Sequence, residues 1–130
     1  MIIFYDLETT GLPKAGNDPL RQPGIVQIGA CRVDTKLWSD TLNDKGDIMV
    51  RASDGIVEEF NMFVNPELLP DRFEPGAVKV NGITWNDAQD KPSFFTVGED
   101  FAKFCVGAEV MSGYNHINFD NKILMWQLLR

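Results

Sequence analysis

Phe4-Tyr5-Asp6-Leu7-Glu8-Thr9-Thr10-Gly11 is the stretch on which the fold is decided, an apolar run that ends in two carboxylates and a glycine turn. Met1 to Tyr5 is too short for a helix, and its continuous apolar, β-branched and aromatic side chains are the pattern of a strand covered on both faces. Strand side chains alternate with period two, so Asp6 and Glu8 leave one face and Leu7 the other. Two like charges side by side at the end of a buried strand are unfavourable unless a cation neutralises them or one carboxyl stays protonated. A divalent metal meets that need. Oxygen donors with no neighbouring Cys or His favour magnesium or manganese over zinc. Taken alone, a solvated carboxylate pair capping a strand has the same local pattern.

Outward from this stretch, Leu12 to Gly24 carries three prolines and two glycines and reads as a loop bordering the carboxylates. Ile25 to Asp34 reads as a second strand, with Val26, Ile28 and Ala30 on one face and Ile25, Gln27 and Gly29 on the other. Lys36 to Gly55 is polar and without sustained periodicity, an excursion with room for a short strand at Ile48-Met49-Val50. Ile56 to Val64 makes a third strand, closed by the turn signal Asn65-Pro66. Three successive antiparallel strands form a meander.

Helical signals follow. Phe73 to Val80 is compatible with a short helix ending at Asn81-Gly82. Thr84 and Asp87 have cap spacing, and Lys91-Pro92-Ser93 opens a helix whose Phe94, Val97, Phe101 and Phe104 fall on one core-packing face. Glu109 to Tyr114 reads as a fourth strand, and Asp120 to Leu129 as a helix with Ile123, Leu124 and Leu128 inward.

The 130 residues suffice for one domain with one core. A net charge of −7 argues against a protein that grips long nucleic acid through a basic face. It is compatible with a site that holds only a chain end, where metal ions supply positive charge. No apolar run is long enough to span a bilayer and the start lacks a basic leader region, so the expected location is the cytoplasm, with no membrane partner. Cys31 and Cys105 fall in apolar segments as structural thiols, too few for a disulfide framework or zinc site.

The run Asp6, Glu8, Thr9, Thr10, Gly11 resembles the first motif of the DnaQ-like (DEDD) 3′-5′ exonucleases, Asp-x-Glu-Thr-Thr-Gly. Ser112-Gly113-Tyr114-Asn115-His116-Ile117-Asn118-Phe119-Asp120 resembles the second motif of that family, most closely the Gly-Tyr-Asn-x-x-x-Phe-Asp form of the exonuclease I branch. Between them Phe63-Val64-Asn65-Pro66, Val80-Asn81-Gly82-Ile83-Thr84 and Lys91-Pro92-Ser93-Phe94 follow the family order. The resemblance covers the chain except the insertion at Lys36 to Gly55.

The fold it implies is α/β and ribonuclease H-like: a mixed sheet of three antiparallel strands then a parallel strand, with helices on both faces. The activity it implies is metal-dependent removal of nucleoside 5′-monophosphates from a single-stranded 3′ end. By the same resemblance Asp6, Glu8 and Asp120 are the catalytic, metal-binding carboxylates for magnesium or manganese, two ions in the complete family site. Thr9, Thr10, Gly11, Asn81, Gly82, Ile83 and Asn115 are the substrate contacts, Asn81 replacing the family's histidine and Ile83 offering an apolar surface to the terminal base. His116 reads as a hydrogen-bonding residue of the loop.

The family's third motif, His-x-x-x-x-Asp or Tyr-x-x-x-Asp, is not found in the sequence. The expectation is therefore a truncated exonuclease domain, weakly active or inactive as it stands. Trp126 and Leu129 would lie uncovered, and a polymerase or other protein could cover the exposed face. The competing expectation is a non-catalytic module that binds a nucleic-acid end or a protein.

Overall fold

The computed structural model describes residues 1–38, 41–42, 45–46, 48–49 and 52–130. Among the described residues six strands and four α-helices follow in the order β1 (Ile2–Thr9), β2 (Ile25–Val33), β3 (Thr41–Leu42), β4 (Ile48–Met49), β5 (Ile56–Phe63), α1 (Pro75–Asn81), α2 (Trp85–Ala88), α3 (Phe94–Phe104), β6 (Val110–Ser112) and α4 (Asp120–Leu129). The main sheet has the order β5-β2-β1-β6. Its first three strands pair antiparallel and β6 joins β1 in parallel, the mixed arrangement expected from the sequence. The excursion holds a two-stranded ribbon, β3 against β4, so Ile48 and Met49 form a strand whose partner the sequence did not disclose. Val50 lies outside the described residues.

The core lies against one face of the sheet. Ile3, Tyr5, Leu7, Ile28 and Val64 pack there against Val97, Phe101 and Phe104 of α3 and Ile123 and Trp126 of α4. The α3 stripe is as expected, with Phe94 packed at its edge and Phe95 turned outward. In α4 the expectation is corrected: Leu128 is exposed and Trp126 is buried, while Ile123 and Leu124 do face the core. Apolar residues occur all around α4, so hydrophobicity could not select its inner face; the burial of Asp120 at its first position does. Leu129 is exposed, as expected.

A bulge corrects the second strand. Thr9 pairs with Ile25 while Glu8 pairs with Gln27, leaving Val26 as the extra residue. Ile25 therefore joins Ile28 in the main core, and Val26 enters a second cluster with Phe73, Ile83 and Ala88. Helices α1 and α2 belong to this second cluster, through Val78, Trp85 and Ala88. The rest of that sheet face carries Phe4, Asp6, Gly29, Cys31, Glu59 and Asn61, and β1 is closely covered on one face only. Cys31 and Cys105 are free and half-buried.

Short-range signals are realised closely. Gly82 ends α1 at φ 73°, the left-handed region glycine tolerates. Thr84 and Asp87 form a reciprocal capping box. Among the described residues no helix is long and apolar enough to cross a membrane.

Candidate active site

Strand β1 delivers Asp6 and Glu8 to one face and buries Leu7 on the other, as alternation requires. The strand continues to Thr9, so the carboxylates leave its last turns of pleat rather than a point beyond its end. Pairing explains the extension: β2 follows β1 as far as Thr9, and the Thr10 N–H then donates to Gly24 O at 2.9 Å.

Asp120 arrives from the other end of the chain. It is 1% exposed, and its Oδ1 accepts from the Leu7 N–H at 3.3 Å, between the two β1 carboxylates in sequence. The loop before it is held by backbone contacts. Asn115, at φ 52°, accepts through its carbonyl from the Asn118 and Phe119 N–H groups, and the His116 carbonyl accepts from the Asn121 N–H at 2.7 Å. The Tyr5 hydroxyl donates to the Asn121 side chain. His116 Nδ1 lies 2.7 Å from Gly113 O, which can only accept, so Nδ1 carries the proton.

Gly113 is the tight point of this loop. A Cβ there would stand 2.4 Å from Tyr5 O, which is backbone and cannot swing aside. Gly113→Ala is expected to lower stability by about 1–3 kcal/mol through that forced shift. Thermal unfolding measures it, and an unchanged midpoint would contradict the close approach.

The three carboxylates affect one another. Burial first, then the Asp6 charge, pushes the Asp120 carboxyl above the usual range, partly offset by the Leu7 N–H. Glu8 is raised by burial, Asp6 and Asp120, with a hydrogen bond from Asn81 in opposition. Tyr5 is pushed up to about 12 by burial and by Asp120. Among the described residues no three His, Cys, Asp or Glu groups converge closely enough to hold a metal ion. Asp120 is directed to Leu7 N–H and Glu8 to Asn81: a shared neighbourhood without a shared coordination sphere. The donor chemistry nevertheless fits a hard divalent cation, since all three are carboxylates that repel one another.

Glu8 also borders a cleft of about 380 Å³. Thr9, Gly11 and Asn81 line it, together with apolar Leu12, Val80 and Phe119. These three were not selected from the sequence. Leu12 and Val80 are 67% and 85% exposed, and such exposure of apolar side chains becomes visible only once the chain is folded. Of the other expected contacts, Gly82 and Ile83 border a neighbouring cleft that also touches Asn81. Thr10 is interior, its hydroxyl accepting from the Gly24 N–H at 3.0 Å. Ile83 is 7% exposed, packed in the second core cluster with Val26, Phe73 and Ala88. Gly82 terminates α1, and Asn115 is an exposed turn residue. Asn81 reaches the site: its Nδ2 donates to Thr9 O at 3.0 Å and its Oδ1 accepts from the Ile83 N–H at 2.9 Å.

The loop flanking the cleft is organised by Gln22, fully buried and unmarked in the sequence. Its Oε1 accepts from the Lys14 N–H at 2.8 Å, and its Nε2 donates to the Lys14 and Gly16 carbonyls. Lys14 pairs with Glu74 beside Gly11.

A family model of exonucleases, RNase_T, matches residues 3–130. The chain belongs to this exonuclease family. DNA polymerase III subunit epsilon of Rickettsia typhi is 31% identical over 127 residues, and that of Rickettsia prowazekii 32%. Each match takes in 97% of this chain and 43% of the relative, so the chain spans less than half the length of these relatives. Exonuclease I of E. coli, solved with a dT13 oligonucleotide, shares the fold at a TM-score of 0.63 and 21% identity, over 94% of this chain and 22% of that one. The ribonuclease H-like, DnaQ-like reading of the sequence is thus shown. The motif carboxylates come from two segments of chain, Asp6 and Glu8 from β1 and Asp120 from the start of α4, which the fold brings into one neighbourhood.

Proposed function

We propose that the chain acts as a magnesium- or manganese-dependent 3′-5′ exonuclease on single-stranded nucleic acid, releasing nucleoside 5′-monophosphates. The observation that carries this reading is Glu8, which belongs both to the carboxylate group and to the wall of the apolar cleft. A terminal nucleotide can place its base among Leu12, Val80 and Phe119 and its phosphate beside the carboxylates. Asp6, Glu8 and Asp120 would hold the metal. A bound divalent ion stabilises charge on a reacting phosphate and promotes ionisation of water. Asn81 orients Glu8, the Thr9 and Gly11 backbone borders the sugar, and Asp120 holds its position through Leu7.

The test uses 5′-labelled single-stranded DNA and RNA in manganese, beside Asp6→Ala. A ladder shortening from the 3′ end and lost in the variant is the expected result. Internal cleavage, or cleavage surviving in the variant, would overturn the reading. The second reading, an end-binding module without cleavage, is favoured by the unconverged carboxylates and by the single histidine's engagement with Gly113. Oligonucleotide binding without mononucleotide release would select it.

The epsilon relatives are by name polymerase subunits. A polymerase or other protein partner over the exposed C-terminal face, and a cytoplasmic location, are proposed on that similarity.

A further inference from the structure

The sheet carries the carboxylates' face beyond β1. In the pairing register Glu8 lies opposite Gln27, and Gln27 lies opposite Phe63, so the three side chains form one row across β1, β2 and β5. Alternation along β5 confirms the direction of the ring: Phe60 packs on the helix-covered face, and Phe63 is 44% exposed on the other. An exposed phenylalanine at a sheet edge is ordinarily just a solvent-facing side chain. Phe63, however, shares a cleft of about 500 Å³ with Gln27, Asn81, Asn86 and Lys91. Asn81 borders this cleft and the one beside Glu8, so the two meet at the residue that binds Glu8.

We propose that Phe63 is a stacking platform for the base of the nucleotide on the 5′ side of the scissile phosphate, with Gln27 beside it offering an amide to the base edge. The inference rests on the exonuclease reading and adds a second nucleotide subsite to it. Two inter-strand steps of about 4.8 Å place Phe63 about 10 Å from Glu8, the span of the nucleotide next to a phosphate held at the carboxylates. The Gln27 Nε2 already donates to Asn61 Oδ1 at 2.8 Å, which fixes the amide and leaves its oxygen to accept. An aromatic face accepts any base, so the subsite contributes affinity without sequence preference. The two acids that also line this cleft are engaged within the protein: Asp87 caps α2 and Asp90 pairs with Lys91.

Binding of a 5′-fluorescein thymidine pentanucleotide, followed by anisotropy in calcium, tests this without requiring turnover. Phe63→Ala is expected to weaken binding about ten-fold, within the range of one base–aromatic stack. Phe63→Trp should restore it. An abasic penultimate nucleotide should weaken wild-type binding to the same degree and leave Phe63→Ala no weaker than before. Wild-type binding with no dependence on Phe63 or on the penultimate base would overturn the inference and leave the exonuclease reading standing. Neither binding nor cleavage of any oligonucleotide by the wild-type chain would overturn both.

Discussion

Asp120→Asn is expected to abolish mononucleotide release while raising the melting temperature of the metal-free protein. Asparagine keeps the Oδ1 that accepts from Leu7 and removes the charge that burial and Asp6 both disfavour. The loss of activity should be about a thousand-fold or more, corresponding to the several kcal/mol a bound ion contributes to a phosphoryl transition state. The stability gain depends on pH in a defined direction. A carboxyl whose pKa is raised on folding binds its proton more tightly in the folded state, so stability falls as pH rises from the unfolded value through the raised folded value. Glu8 and Asp120 are both raised. The advantage of Asp120→Asn should therefore be larger at pH 7.5 than at pH 5, read as the difference in melting temperature between variant and wild type. Manganese should raise the wild-type midpoint and leave the variant's nearly unmoved. An Asp120→Asn protein that melts lower than wild type at pH 7.5 would refute the electrostatic account.

Phe101→Ala is expected to cost about 3–5 kcal/mol, as buried aromatic truncations do. Its ring is 4% exposed and lies 6.0 Å from Tyr5, 5.4 Å from Phe60 and 6.5 Å from Phe104, tying α3 to β1 and β5. Removing it opens a void at the centre of these packed rings. The neighbouring Phe95, 83% exposed, should change stability by less than about 0.5 kcal/mol when replaced by alanine. Urea unfolding of both variants checks the pair. Similar midpoints for the two would mean that α3 packs on a different face.

Much of this architecture was legible because its signals are local. The Thr84/Asp87 cap, the glycine after α1 and the Phe94-Val97-Phe101-Phe104 stripe each depend on residues within about a turn or two, where geometry is set by the backbone itself. The strand-borne pair Asp6 and Glu8 was readable for the same reason, since period-two alternation needs no partner. Where alternation met a bulge, it failed: Val26 displaced Ile25 to the opposite face. In α4 the apolar residues surround the axis, and only the anchoring of Asp120 beneath β1 decided that Trp126 faces inward and Leu128 outward.

The sequence by itself determined the order of the main-sheet strands and the helices, the caps and the shared face of Asp6 and Glu8, because each is set by short-range periodicity or by residue type at close spacing; Asp120 entered through its resemblance to the family's second motif. Only the tertiary structure decided that Ile83 fills the core while Leu12, Val80 and Phe119 face the cleft, and that Gln27 and Phe63 extend the row begun by Glu8. Those facts arise from pairing and packing between segments far apart in the chain, where burial is shared among partners that no single stretch specifies.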